Sequence, residues 1–440
     1  MKYNNRYIFG ISFISALGGY LFGFDFAVIS GALPFLQRQF NLNSYWEGFA
    51  TGILAIGAIF GCLFAGKVSN KYGRRLGLII SASIFLFSSL AMAFSTSRDF
   101  FLFFRFASGI SVGMTSMLSP MYIAEISPTN IRGRLVAINQ LTIVLGILFT
   151  NIINYFLRNN GDNSWRWMFG LGVIPSGFFL LGTLFLPESP FWLIQTGNKT
   201  KAISVLNTLG DDSYVLNFLN KHECSFNKNK KSNFYILLHK SFLPSISIGI
   251  FLAIFQQFCG INIVFNYAPK IFESIGSTKD NQLLQTVFIG GVNLLFTLLA
   301  MLLIDTVGRK PLMLIGSIGL SILYVLIGKM LTTGSIWLSW LLLSSIGLYA
   351  MSLGPVTWVL ISEIYPAKIR VTAVSFSVII LWLSYFVLVF TFPVFFEKWK
   401  QNTFYIYSCI CIIGFFIVFL KVKETKGKSL EDASYKNLGH

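Results

Sequence analysis

The sequence predicts an all-α membrane protein of about twelve spanning helices in two six-helix halves. Three observations carry that expectation. Of 440 residues, 54% are hydrophobic and only 12% are charged, too little polar surface for a soluble chain of this size. Apolar runs of about 18 to 25 residues recur along the chain, the length needed to cross the hydrocarbon of a bilayer. The two halves also repeat one another's short motifs at a nearly fixed offset, which is the mark of a duplicated unit.

In order, the runs begin near Ile8, Gly48, Leu76, Phe100, Leu135, Trp167, Leu243, Leu283, Leu312, Ile336, Val371 and Phe404. The first reaches about Leu33, carries Asp25 and lacks a small-residue cleavage site, so it reads as a retained helix and not as a signal peptide. A polar stretch from Glu188 to Lys240, rich in Asn, Lys and Ser, separates the sixth run from the seventh. The expected organisation is a first bundle over 1–187, a cytoplasmic linker with short helices over 188–240, a second bundle over 241–422 and a cytoplasmic tail over 423–440. No strand periodicity competes with this reading.

The net charge is +17, and its distribution argues against a nucleic-acid partner. Lys67, Lys71, Arg74, Arg75, Arg132, Arg134, Arg309, Lys310, Lys368 and Arg370 fall in alternate short loops, and Lys421, Lys423, Lys426 and Lys428 follow the last run. By the positive-inside rule those loops and both termini are cytoplasmic. The compact loops suit a bacterial inner membrane. Cys62, Cys259, Cys409 and Cys411 lie in spans and Cys224 in the linker, with no spacing that suggests a metal or a disulfide.

Two motifs occur twice. Glu125-Ile-Ser-Pro128-Thr-Asn-Ile-Arg132 recurs as Glu363-Ile-Tyr-Pro366-Ala-Lys-Ile-Arg370, and Gly73-Arg74-Arg75 recurs as Gly308-Arg309-Lys310, preceded by Asp305. Further signatures are Gly23-Phe24-Asp25 with Val28-Ile29-Ser30-Gly31, Arg105 at the start of the fourth span, and Pro187-Glu188-Ser189-Pro190-Phe191-Trp192-Leu193. Gln256-Gln257 through Asn262 and Gly354-Pro355-Val356-Thr357-Trp358 complete the set. Over essentially its whole length the chain resembles the sugar porters of the major facilitator superfamily. That resemblance implies two six-helix bundles, joined by short cytoplasmic helices, that rock about a central monosaccharide site.

Amides in an apolar span require partners, because an unpaired one costs about 2 to 7 kcal/mol, so several together point to a polar cavity. Sugar hydroxyls both donate and accept, which suits amides, and an aromatic face suits the sugar's CH surface. Gln140, Gln256, Gln257, Asn262 and Asn293 supply amides, and Trp358 a ring with an N–H. The resemblance implies that these, with Trp382, line the sugar pocket. On an ideal helix Gln257 and Asn262 are about 140° apart, so they converge only if the helix unwinds, and Gly260 is the place for it. Gly18, Gly19 and Gly23, Ser119-Pro120, and Gly354-Pro355 are expected to weaken the first, fourth and tenth spans in the same way.

Departures from the commonest family pattern are Leu381 before Trp382, where many members carry an amide, and Ile147, where some proton-coupled members carry a glutamine and many hexose carriers do not. A glucose-like hexose is the expected substrate, then a pentose or inositol. Asp25 is the only acid deep within the first span, and Arg105 is its expected partner. In the family an aspartate at this place accompanies proton symport. At the cytoplasmic ends Arg74, Glu125, Arg132, Glu188, Asp305, Arg309, Glu363 and Arg370 are expected to form a gate of ion pairs, with Glu424 by weaker analogy. The function expected is proton-coupled sugar import by a monomer, with sugar, proton and lipid as partners and no cofactor, metal or catalytic residue. A facilitative uniporter with a fixed Asp25–Arg105 pair, and a membrane sugar sensor, stay open as alternatives.

Overall fold

The computed structural model describes residues 3–128, 130–223, 239, 241–333, 337–366 and 369–426. Among them the backbone is helical apart from short connections and one isolated bridge between Tyr3 and Gly210. The helices are α1 (Asn5–Phe40), α2 (Ser44–Tyr72), α3 (Arg74–Ala93), α4 (Arg98–Ile126), α5 (Arg132–Leu157), α6 (Ser164–Gly170) and α7 (Val173–Phe185). Three shorter ones follow, α8 (Pro190–Gln195), α9 (Lys199–Leu209) and α10 (Asp212–Glu223). The chain continues with α11 (Leu243–Phe258), α12 (Ile261–Glu273), α13 (Lys279–Thr306), α14 (Arg309–Thr333), α15 (Trp337–Met351), α16 (Leu353–Glu363), α17 (Arg370–Trp399) and α18 (Asn402–Lys421). Among the described residues twelve segments are long and apolar enough to cross a membrane; α6 with α7, α11 with α12, and α15 with α16 each make one of them.

Two compact units emerge. The first comprises Met1–Phe26, Ile56–Thr150 and Arg166–Lys231, and the second Ala27–Ala55, Asn151–Trp165 and Ser232–His440. In the first, α1 crosses α5 so closely that a Cβ added at Gly23 would lie 1.9 Å from the carbonyl oxygen of Ile143. Only glycine permits backbones to meet at that distance. The linker helices α8 and α9 share a small apolar core of Leu193, Ile194 and Ala202, backed by Trp192, Val205, Phe218 and Leu219. The start of the chain is tied there by Asn4 N–H donating to Leu209 O and by Tyr3 packing edge-on to Tyr214.

The second unit holds both interrupted spans. Gly260 separates α11 from α12 in the left-handed region, with φ 87°, and Ser352, with φ −126° and ψ −94°, separates α15 from α16. The first and fourth spans differ from expectation, since α1 and α4 run unbroken through Gly18, Gly19, Gly23 and Pro120. Their small residues serve close packing instead. A Cβ on Gly18 would meet the hydroxyl of Ser119 at 2.4 Å, and one on Gly19 the carbonyl of Asn139 at 2.7 Å.

Gly23→Leu should therefore force α1 and α5 apart at a cost of about 1 to 3 kcal/mol, the range for overpacking. Gly10→Ala, with nothing within 4 Å of the added Cβ, should be neutral. Thermal midpoints of the purified variants in detergent check both. Equal midpoints would show that the crossing yields without strain.

Candidate functional site

The break at Gly260 brings the amides of the seventh span together. A side chain at Gly260 would be strained by its positive φ and would also press on the Tyr407 ring at 2.8 Å. With the helix unwound there, Asn262 Nδ2 donates to Gln257 Oε1, and Gln257 Nε2 approaches Gln256 Oε1 at 3.5 Å. Gln256 Nε2 donates to Gly354 O at 2.9 Å, just beyond the second break. Further along α12, Asn266 Nδ2 donates to Asn262 O at 2.6 Å, Asn266 Oδ1 accepts from Tyr385 OH at 3.2 Å, and Tyr267 OH donates to Val389 O at 2.8 Å. Gln256, Gln257, Asn262 and Asn266 are all buried. Each amide has more hydrogen-bonding positions than these contacts use, so the cluster can engage hydroxyls while its own geometry is held.

Of the other residues the sequence singled out, Asn293 is buried on α13, and Trp358 is exposed on α16. Trp382 is buried on α17 with its ring 5.9 Å from that of Tyr385. Gln140 is half-buried on α5, in the first unit. Leu381, in place of an amide, is buried beside Trp382. Asn262 and Asn266 share one helical stripe by their spacing, and they are bonded; Tyr385 was not anticipated, its only sequence signal being a polar side chain in an otherwise apolar span.

In the first unit Asp25 and Arg105 are among the most enclosed charged groups, 1% and 0% exposed. Arg105 Nη1 donates to Asp25 Oδ1, Nη2 donates to Asp25 O at 3.1 Å, and Ser108 Oγ donates to Asp25 Oδ2 at 3.0 Å. The guanidinium also lies over the Phe169 ring, 5.5 Å from its centroid. Ser108, one turn beyond Arg105, was not anticipated. A lone charge at mid-membrane costs about 2.5 to 3.5 kcal/mol on insertion scales, so each ion here depends on the other.

The duplicated motifs build the same clasp twice. Arg74 grips Glu125 with two nitrogens, Nε at 2.9 Å and Nη2 at 2.9 Å, and Nη1 donates to Ser69 O. Arg309 Nη2 donates to Glu363 Oε1 at 3.3 Å, and Nη1 to Ile304 O. Glu188 accepts from the backbone N–H groups of Arg74 and Arg75 and so caps α3; Glu424 accepts from those of Arg309 and Lys310 and so caps α14. Gly73 and Gly308 have φ of 98° and 107°, and a Cβ on either would strike the capping carboxylate, at 2.2 and 2.9 Å. Arg132 and Arg370 close the carbonyls of Ser127 and Tyr365 at the ends of α4 and α16. Asp305 lies on α13, but its side chain falls outside the described residues, as do Ala367 and Lys368.

The capping acids titrate differently. Burial pushes the Glu188 carboxyl above its usual value, outweighing the N–H groups of Ser189, Arg74 and Arg75. Burial also acts to raise Glu424, but the N–H groups of Lys426, Arg309, Lys310 and Thr425 together hold it below.

Set beside known proteins, residues 11–436 match the family described as sugar (and other) transporter. The chain is 36% identical to the D-xylose-proton symporter of Escherichia coli, over 98% of this chain and 96% of that one. It is 35% identical to the glucose transporter GlcP of Staphylococcus epidermidis, over 99% and 98%. Among solved structures, the partially occluded inward open form of the E. coli xylose transporter XylE superimposes with a TM-score of 0.86 at 35% identity, covering 96% of this chain and all of that one.

Glu424→Gln should lower the thermal midpoint at neutral pH. A depressed carboxyl contributes stability that is complete above its unfolded value of 4.5 and is lost as pH falls through the lower folded value. The gap between native and variant should accordingly close below pH 4.5; a gap unchanged there would contradict the capping role.

Proposed function

The chain belongs to the sugar transporter family, and on that premise we propose that it is a proton-coupled symporter importing a monosaccharide by alternating access, with a glucose-like hexose preferred. The observation that carries the reading is the buried Asp25–Arg105–Ser108 cluster within a spanning helix pair. In such a place a carboxylate is stable when held by the guanidinium or when protonated. Protonation cancels the attraction and frees Arg105 and Ser108 to rearrange, so proton occupancy becomes a conformational signal on α1 and α4.

Sugar recognition is assigned to the amides at the Gly260 break. Gln256, Gln257 and Asn262 take ring hydroxyls, Asn293 adds a further amide, and Trp358 and Trp382 offer indole faces. The relatives named for xylose and for glucose support a pentose or a hexose. The hexose preference rests on Ile147, buried and apolar, one helical repeat from Gln140. The basic loops holding Arg74, Arg132, Arg309 and Arg370 are assigned to the cytoplasm with both termini, in a bacterial inner membrane. The protein acts as a monomer and converts no substrate.

One positive charge crossing 100 mV is worth about 2.3 kcal/mol, enough for roughly fifty-fold accumulation of a neutral sugar at one-to-one coupling. In vesicles, Asp25→Asn should retain exchange of labelled sugar across equal concentrations within about threefold and lose accumulation against a gradient, a gap of about fifty-fold. Uphill uptake by the variant would overturn the proton assignment and favour a fixed ion pair.

A further inference from the structure

The second unit contains another charge pair that lies away from the sugar amides and from Asp25. Glu47, on the first turn of α2, is 1% exposed, and Lys270 Nζ on α12 donates to its Oε2. The two residues are 223 positions apart in sequence. Their neighbourhood is tightly built. A Cβ on Gly48 would meet Phe390 O at 2.2 Å, Tyr45 stacks edge-on to Phe390 at 5.1 Å, and Tyr267 is anchored to Val389 O.

Three features set this pair apart from packing. First, apolar contacts already hold α2 against α17 there, and a buried ion pair is a poor way to add stability, since desolvation offsets much of its attraction. Second, the pair is wet on one side only: Lys270 borders a recess of about 730 Å3 with Ser44, Glu273 and Glu397, while Glu47 is dry. Separating the ions gives Lys270 to the recess and leaves the Glu47 carboxylate unpaired until water or a proton reaches it, so the contact divides a closed state from a distinct open one. Third, the backbone leading to Lys270 is jointed twice, at Gly260 in the left-handed region and at Tyr267, whose φ −121° and ψ 17° are not helical, with Pro269 withholding an N–H. The segment between those joints carries Asn262 and Asn266.

We propose that Glu47 and Lys270 are positioning residues for the sugar site: their ion pair latches the far end of α12 onto α2, closes the non-cytoplasmic side of the second unit, and must part for sugar to enter. The proposal rests on the transport reading above for its direction. It assigns the charges a reversible closure, and leaves sugar contact to the amides at the near end of the same helix.

The test is access. Thr286 on α13 is 2% exposed, its hydroxyl bonds to Leu283 O of its own helix, and its carbonyl accepts from Asn151 Nδ2 at 2.9 Å, so Thr286→Cys is a mild probe at a position that solvent reaches only when the second unit opens. Intact cells carrying that variant are treated with a membrane-impermeant maleimide, with protein lacking the introduced cysteine as background. Glu47→Gln and Lys270→Met should each speed labelling by about tenfold or more. The reversed pair, Glu47→Lys with Lys270→Glu, should return the rate to within about threefold of the parent. Unchanged rates in both single variants would overturn the latch, and so would a reversed pair that labels as fast as the single variants while reaching the membrane in normal amount. Sugar counterflow in the same preparations separates the two readings: labelling that responds as stated while no sugar moves keeps the latch and removes the transport assignment.

Discussion

The buried bond between Asp25 and Arg105 sets the terms for the first unit. Neither ion can stand alone in an apolar span, so the register of α1 against α4 is fixed by the need to bring them together. Gly23, two residues earlier, lets α1 approach α5, while Ser108 and the Phe169 ring fill the remaining contacts of carboxylate and guanidinium. Such a pair adds little net stability over a well-packed apolar alternative. In the proposed mechanism, what it adds is a state that one proton changes.

The duplication explains much of the rest. In each unit a Gly-Arg step starts a helix, a carboxylate from a distant segment caps it, and the arginine side chain grips a glutamate at the end of another helix. Positive φ at Gly73 and Gly308 makes room for the cap, so glycine, arginine and two acids form one device written twice. The copies are not equivalent in chemistry. Glu188 is raised by burial, whereas Glu424 is lowered by its N–H donors, so the two clasps differ in their response to acid. The spans also differ between units: the seventh and tenth are interrupted, and the first and fourth are continuous. The broken helices carry the amides, and the continuous α1 carries Asp25.

How much of this was legible in the sequence follows from the range of each signal. Hydrocarbon thickness imposes run length locally, so the spans could be read directly. Asp25 was legible because an acid in lipid is conspicuous and needs a base, and Arg105 was the nearest in kind. The convergence of Gln257 and Asn262 followed from helix geometry once Gly260 was allowed to unwind, and the structure shows that bond. Glycine is ambiguous, however, and at Gly18, Gly19 and Gly23 close packing won over breakage, because helices with small facing residues gain more from contact than they lose in propensity. Ser108 was hidden among several serines of α4. Glu47 with Lys270, and Gln256 with Gly354, are long-range pairings that no local pattern encodes. The role of Glu188 as a helix cap likewise needed the backbone N–H groups in place.

The buried charge pair lies in one unit and the amide cluster in the other, and α1 and α2 each contribute residues to both. Proton-coupled symport differs from facilitated exchange in that sugar movement carries charge. The most direct measurement is the current from vesicles containing the purified protein, adsorbed on a sensor membrane, when sugar is added at equal pH on both sides. Proton coupling through Asp25 predicts an inward positive current with the sugars that exchange, abolished by Asp25→Asn. Sugar exchange by the native protein in the same vesicles with no charge movement would contradict it.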